Sequence, residues 1–170
     1  MAKEDNIRGI DRIEFGVPGD GVMGAGTFTV FKNVKLNSTN LTDQKPTTKK
    51  IPTENHANYR TVSEGAEPLK LTISLYEVEK ENAVFLAGGT YTTATKTYTA
   101  PVTPVIKHLS VRLVDVEGNK LEIPVAAVIG GRDGNLTKGD LLDFKIEIEA
   151  EAAITSAGVD NSPYQIIYAN

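Results

Sequence analysis

Cysteine and tryptophan are absent from this 170-residue chain, and histidine occurs only twice. The lack of cysteine excludes a disulfide framework, thiolate catalysis and zinc sites built on thiolates. Neither His56 nor His108 has neighbours at a metal-ligand spacing such as His-Glu-x-x-His, and the sequence contains no nucleophile elbow, P-loop or dinucleotide fingerprint. We therefore predict a protein that is not an enzyme and uses no metal or other cofactor.

Long apolar runs and an excess of positive charge are also lacking. No segment approaches the roughly 18 consecutive apolar residues of a membrane-spanning helix, and the charged N-terminal residues are not followed by an apolar segment. The formal net charge of -4 disfavours a protein that holds nucleic acid through its phosphates. These features predict a protein of the cytoplasm that has no membrane partner and does not bind DNA stably.

The strongest pattern in the sequence is an alternation of apolar and polar residues over residues 104–150, which predicts a three-strand meander with a turn at residues 117–120. Its apolar positions are Leu109, Val111, Leu113, Leu121, Ile123, Val125, Ala127, Phe144, Ile146, Ile148 and Ala150. A slip of one residue in the third strand would bury its charges, so the register there is well specified. Pro124 predicts an edge or a β-bulge in the second strand.

Six further strands are predicted from similar but shorter patterns. They cover residues 10–15, 27–36, 58–63, 69–75, 90–99 and 164–168. Between the fourth and fifth of these, the apolar spacing becomes that of a helix over about residues 77–87, with capping-box spacing from Ser74 to Glu77 and a stop at Gly88 and Gly89. The repeated glycines of residues 16–26 predict a mobile loop.

The predicted fold class is mainly β: a single domain over residues 1–170, β-sandwich or barrel-like, with one short α-helix and a long polar loop. That loop covers residues 37–58, where Leu41, Ile51 and Ala57 are the apolar positions. A polar connection of about 20 residues is uncommon in a compact domain and is typical of a functional arm or a disordered segment. Because so few apolar groups offset the entropy of ordering, we expect this segment to be mobile in the free chain.

The order of these elements resembles that of the tail tube (major tail) proteins of long-tailed bacteriophages. The resemblance covers about residues 60–152: a strand, a short helix ending in Leu86-Ala87-Gly88-Gly89, a Thr/Tyr-rich strand, a proline-flanked segment and a hairpin at residues 109–127. Its most specific part is Asp133-Gly134-Asn135-Leu136-Thr137-Lys138, within the lead-in to an alternating strand.

The resemblance implies a subunit whose sheet joins those of its neighbours in a ring, which is hexameric in that family, and whose rings stack into a hollow tube. DNA would pass through the tube as unbound cargo. The implied partners are further copies of the chain and the tape-measure and terminator proteins of the tail. The implied location is the virion, after assembly in the cytoplasm of the bacterial host.

Two alternatives remain open at this point. Related tubes occur in contractile phages, tailocins and type VI secretion systems. A β-sandwich module for carbohydrate binding or adhesion is the other alternative, but it needs an exposed aromatic platform, and aromatic residues make up only 6% of the chain.

Two sets of candidate site residues follow from the resemblance. The candidate assembly arm is the polar loop, with Asn37, Leu41, Lys49, Lys50, Ile51 and Asn58 as its named positions. The candidate lining of the tube lumen is an acidic row on the polar face of the third meander strand, formed by Glu147, Glu149 and Glu151. The opposing interpretation of this row is a solvated outer surface.

Overall fold

The computed structural model describes residues 7–76, 78–134 and 142–169, and this part of the chain is mainly β with one short helix. The elements are β1 (Ile10–Gly16), β2 (Thr29–Phe31), β3 (Asn40–Thr42), β4 (Lys45–Thr53), β5 (His56–Glu67), β6 (Lys70–Leu75), α1 (Lys80–Ala87), β7 (Thr90–Thr92), β8 (Thr97–Thr99), β9 (Lys107–Asp115), β10 (Lys120–Asp133), β11 (Asp143–Ala150), β12 (Ala153–Ile154), β13 (Asp160–Asn161) and β14 (Gln165–Ile167). The expected fold class is thereby confirmed.

The main sheet is antiparallel and follows the order β2-β1-β9-β10-β11-β6-β3, with β14 as an additional partner of β10. After β2, the chain crosses to the other end of this strand order, where it lies beside β6. Val34 forms a bridge with Leu75, and the Lys35 N–H donates a hydrogen bond to the Ser74 carbonyl at 2.8 Å. Residues 29–35 therefore join β1 to β6 and close the sheet into a barrel-like layer.

The core fills this barrel with most of the apolar residues that the alternation predicted. Val125 and Ala127 are exceptions: both are half-buried, because the shift of register in β10 turns Ala126 and Val128 into the core in their place. The predicted meander is confirmed, because β9, β10 and β11 are antiparallel neighbours. Phe15 and Phe31 pack edge to face, with ring centroids 5.2 Å apart. The largest fully buried apolar side chains are Phe15, Ile13, Leu69, Leu71, Ile73, Leu75, Leu86, Ile123, Ile146, Val111 and Val128.

Pro124 lies at a β-bulge, as its position in the sequence predicted. The register between β9 and β10 shifts between Ile123 and Ala126, so Pro124 does not occupy a position in the regular ladder of hydrogen bonds between these strands. The bulge also marks a change of partner: β10 pairs with β14 before it and with β11 after it. The bulge thus lets one strand serve two parts of the sheet.

The helix is shorter than predicted at its N-terminal end. It begins at Lys80, with Glu79 at the N-cap position and no capping hydrogen bond from its side chain. The predicted capping box is wrong, because Ser74 remains extended within β6, opposite Lys145 of β11. The predicted stop is confirmed, since Gly88 has a φ of 74° and donates its N–H to the Val84 carbonyl at 2.9 Å.

In the glycine-rich loop of residues 16–26, Gly24 packs closely between Val17 and Ser110. Gly24 donates its N–H to the buried Ser110 hydroxyl at 3.0 Å, and that hydroxyl donates to the Pro124 carbonyl at 2.6 Å. A Cβ atom at Gly24 would lie 1.8 Å from the Val17 carbonyl oxygen. Here glycine permits a close approach of two backbone segments.

Candidate assembly surfaces

The candidate arm is a β-hairpin that projects from the barrel. Strands β4 and β5 pair with each other, and their register continues that of β3 and β6: Thr42 lies opposite Lys70, and three residues further Lys45 lies opposite Glu67. The expectation of a loop without regular structure is therefore corrected. The cross-strand pairing and the many threonines of this segment supply strand structure without a buried face on β4.

The described side chains of the hairpin are exposed to solvent, except that of Val62, which is half-buried. Every residue of β4 is exposed, including Ile51 with 41% of its surface accessible. Lys49 contacts Glu64 across the hairpin at 3.3 Å, in an exposed pair of small energetic value. Among the described residues β4 pairs with β5 alone, so the outer edges of both strands present unpaired backbone groups.

The named arm residues do not form one continuous patch. Lys49, Lys50 and Ile51 lie on β4, and Asn58 lies on β5, where its side chain is outside the described part of the structure. Asn37 and Leu41 instead lie at the root of the hairpin, beside the barrel mouth.

An apolar cavity of about 520 Å³ opens at this barrel mouth. Its rim includes Leu36 and Val116, which are 85% and 68% exposed. Its apolar wall is formed by Ile7, Ile10, Val34, Leu41, Leu71, Leu113 and Leu121. The opposite end of β10 is covered by α1, whose Leu86 packs so tightly that a Cβ at Gly130 would lie 2.9 Å from it.

The acidic row lies together on one outward face of β11 and the residue that follows it. Glu147 and Glu149 are exposed, and Glu151 is half-buried. Each carboxylate has a basic neighbour: Glu147 contacts Lys145 at 2.8 Å, Glu149 contacts Lys70 at 3.4 Å, and Glu151 contacts His108 at 2.7 Å. The hydrogen bond with Glu147 raises the pKa of Lys145. The face is therefore one of mixed charge.

A second charged row, which was not predicted from the sequence, crosses strands β1, β9, β10 and β14 of the sheet. Arg112 of β9 donates from Nε to Glu122 of β10 at 2.7 Å and from Nη1 to Glu14 of β1 at 3.2 Å. Gln165 of β14 extends the row by donating to Glu122 at 2.8 Å, and Phe28 covers the guanidinium with its ring centroid 4.6 Å away.

Burial lowers the pKa of Arg112, but the hydrogen bonds and charges of Glu122 and Glu14 outweigh burial and hold this pKa above its usual value. The alternation predicted that Glu14, Arg112 and Glu122 each lie on the strand face that points away from the core. Their contact was not visible in the sequence, because it depends on the cross-strand registers that pair Glu14 with Arg112 and Arg112 with Glu122.

The described residues include no group of three or more His, Asp or Glu side chains placed to hold a metal ion. In the same part of the chain, no helix has the length and apolarity to cross a membrane. Residues 135–141, which carry most of the motif from Asp133 to Lys138, lie outside the described structure.

The chain matches no protein-family model and no curated protein. Among solved structures it is similar to a chain of the anti-feeding prophage (AFP) baseplate, determined by cryo-electron microscopy with six-fold symmetry imposed. The sequences are 10% identical, the TM-score is 0.44, and the alignment covers 99% of this chain and 98% of the other.

Proposed function

We propose that this chain is a structural subunit of a phage-like tail tube, which assembles with copies of itself into stacked rings. The single observation that carries the proposal is the exposed hairpin of β4 and β5. It extends two strands of the barrel beyond the core, and every residue of its first strand, β4, is exposed.

An exposed pair of strand edges of this length favours pairing with another chain unless something covers it. In a monomer the exposed strand edges of the hairpin would remain open to unspecific pairing and would serve no purpose, whereas in a ring or a stack of rings a neighbouring copy covers them. Closed cyclic assembly is the usual way in which identical subunits satisfy such surfaces. The sequence resemblance to tail tube proteins supports the same role.

By that resemblance we also propose a hexameric ring, contacts with tape-measure and terminator proteins, location in a virion tail, and passage of DNA through the lumen. The alternative is the same structural role in the tube of a tailocin or a type VI-like injection apparatus. We assign Glu147 and Glu149 to the lumen, because both are exposed on one face of β11, and their pairing with Lys145 and Lys70 gives that face no excess of positive charge that would hold DNA phosphates.

Truncation of the hairpin tests the role in assembly. Since Lys45 and Glu67 are directly opposed, residues 46–66 can be replaced by Asn-Gly, which forms a two-residue turn. The matched control replaces residues 93–96 between Thr92 and Thr97 of β7 and β8 in the same way. Light scattering and negative-stain microscopy of concentrated protein then compare the three chains.

We expect rings or tubes from the natural chain and from the control, and a folded monomer from the hairpin truncation. Long tubes formed by the truncated chain would remove the hairpin from assembly. A natural chain that stays monomeric at high concentration would contradict the proposed function itself.

A further inference from the structure

The most exposed large apolar side chain among the described residues lies at the end of the barrel that α1 covers. It belongs to Val102, which follows β8 in the loop that leads to β9, and it is fully accessible to solvent. Residues 97–106, which surround it, carry no charge. Burial of this side chain against an apolar surface of another molecule would therefore be favourable.

The loop presents Val102 in a fixed conformation. Pro101 and Pro104 restrict the backbone on both sides of it. The loop also packs against the C-terminal end of α1, since a Cβ at Gly88 would lie 2.9 Å from Val105 and 3.6 Å from Pro101. Little conformational entropy is therefore lost when a partner buries Val102.

The apolar cavity at the barrel mouth lies at the other end of the molecule. Val102 comes before β9, whereas Val116, on the rim of the cavity, follows this strand of 9 residues. The two valines are therefore about 25 Å or more apart. Among the described residues that line the cavity, Lys35 alone is charged, and its ammonium is paired with Asp143. The cavity thus suits an uncharged apolar occupant, and Val102 of the same copy is too distant to fill it.

We propose that Val102 of one copy inserts into the barrel-mouth cavity of the next copy, and that this contact stacks one ring on another. The inference rests on the proposed function and assigns the two surfaces that meet between rings. A protrusion at one end and a cavity at the other make a head-to-tail contact, which repeats without closing and builds an open stack. Leu41 lies both in the cavity wall and at the root of the hairpin, so a copy seated there also lies beside the hairpin.

The size of the contact indicates that it acts between rings and not between free chains. Insertion of residues 101–106 buries far less than the roughly 1,000 Å² of a specific interface. One such contact is too weak to hold two monomers together. The contacts of all copies in a ring act at the same time, and multivalency then makes the stack stable.

Cysteine cross-linking tests the contact, because the natural chain contains no cysteine. A chain with both Val102→Cys and Val116→Cys can form disulfides only between copies, since a disulfide requires Cα atoms within about 7 Å. We expect a ladder of multimers when oxidised tubes are run on a non-reducing gel. The matched control carries Val159→Cys, at another exposed valine, in place of Val102→Cys and should give no ladder. Dimers of the single Val116→Cys variant would mean that two cavities face each other, and would overturn the proposal.

Val102→Asp tests the effect of the contact on assembly. Because the side chain is fully exposed, the melting temperature of the free chain should not change. Negative-stain microscopy should show rings but no tubes, since the cavity is apolar and disfavours an unpaired carboxylate. The control, Val159→Asp, should form tubes.

Normal tubes from Val102→Asp, or tubes of the double-cysteine chain that give no ladder, would overturn the inference and leave the proposed function in place. If the natural chain forms neither rings nor tubes, the proposed function fails and the inference fails with it.

Discussion

Arg112 and Glu122 face each other across β9 and β10, joined by a hydrogen bond of 2.7 Å from Nε to the carboxylate. Because the same guanidinium also reaches Glu14, we expect Arg112→Leu to leave the buried Glu122 carboxylate without its cationic partner and the buried Glu14 carboxylate with one cationic partner fewer. Arg112 is one-quarter exposed, so the expected loss in the free energy of unfolding is about 2–3 kcal/mol. Urea denaturation followed by circular dichroism measures it.

Arg12→Leu is the matched control for this prediction. Arg12 also donates to Glu14, at 2.7 Å, but its side chain is more exposed than that of Arg112. We expect a loss of less than about 1 kcal/mol. Equal urea midpoints for the two variants would show that the row through Arg112 contributes no more than an ordinary surface ion pair.

Gly24 and Gly26 form a pair of positions at which the same substitution should have different effects. A Cβ at Gly24 meets the Val17 carbonyl at 1.8 Å, whereas a Cβ at Gly26 meets nothing within 4 Å. We expect Gly24→Ala to displace the loop and break its hydrogen bond to Ser110, lowering the free energy of unfolding by about 2 kcal/mol. Gly26→Ala should leave it unchanged or slightly raised. Thermal denaturation of both variants at one pH tests this, and equal melting temperatures would argue against close packing at Gly24.

The Asp115 carboxyl should make the free energy of unfolding depend on pH. Burial raises the pKa of its carboxyl, but the hydrogen bonds donated by Asn119, Arg8 and Glu117 outweigh burial and hold this pKa below its usual value. A carboxyl whose pKa is lower in the folded chain contributes stability that is present above its unfolded pKa, about 4, and is lost as the pH falls through the folded pKa.

The urea midpoint of the natural chain should therefore fall from about pH 4 downward, and Asp115→Asn should remove part of that fall. The two curves should differ most near neutral pH and converge in acid. Parallel curves over the whole range would mean that Asp115 contributes nothing to the pH dependence.

Charge reversal on β11 tests the location of the acidic row. If this face lines a lumen, tubes built from the double variant Glu147→Lys and Glu149→Lys should assemble but retain DNA, because the added cations attract phosphates. High salt should relieve the retention by screening. DNA passage through reconstituted particles at low and high salt is the measurement.

The control for this experiment is the double variant Glu79→Lys and Glu81→Lys, which makes the same charge change at exposed positions at the start of α1. It should assemble normally, and its effect on DNA passage gives the background for a change of net charge alone. Normal DNA passage at low salt by tubes carrying the β11 substitutions would place Glu147 and Glu149 on the outer surface.

The core strands were predictable from the sequence because one of their faces is buried. Alternation at positions such as Val111, Ile123 and Ile146 reports directly which side chains avoid water. The β4–β5 hairpin was not predicted as such, because every residue of β4 is exposed, so its sequence shows no contrast between a buried and a solvated face. Strand structure there depends on pairing between Lys45 and Glu67 and the positions beyond them, and pairing leaves no period in a single sequence.

The closure of the barrel and the charged row were unpredictable for a related reason. The bridge from Val34 to Leu75 and the contact from Glu14 to Arg112 join segments that are distant in sequence. A periodic pattern specifies which face of a strand is apolar, but it does not specify the neighbouring strand. The start of the helix was misplaced because β6 competes for Ser74, and tertiary pairing prevails over a local capping signal.

The pairing of early strands with late ones also sets an order of events on the ribosome. β1 needs β9 as its partner, and the Glu14 and Arg112 side chains that join them are 98 residues apart. β6 likewise pairs with β11, which is synthesised much later. During synthesis the hairpin that runs from β3 to β6 can form from local contacts, but the barrel that supports it can close only when most of the chain has emerged. Such non-local closure predicts slow folding, in milliseconds to seconds, and a nascent chain with exposed strand edges at the time when other copies are being made nearby.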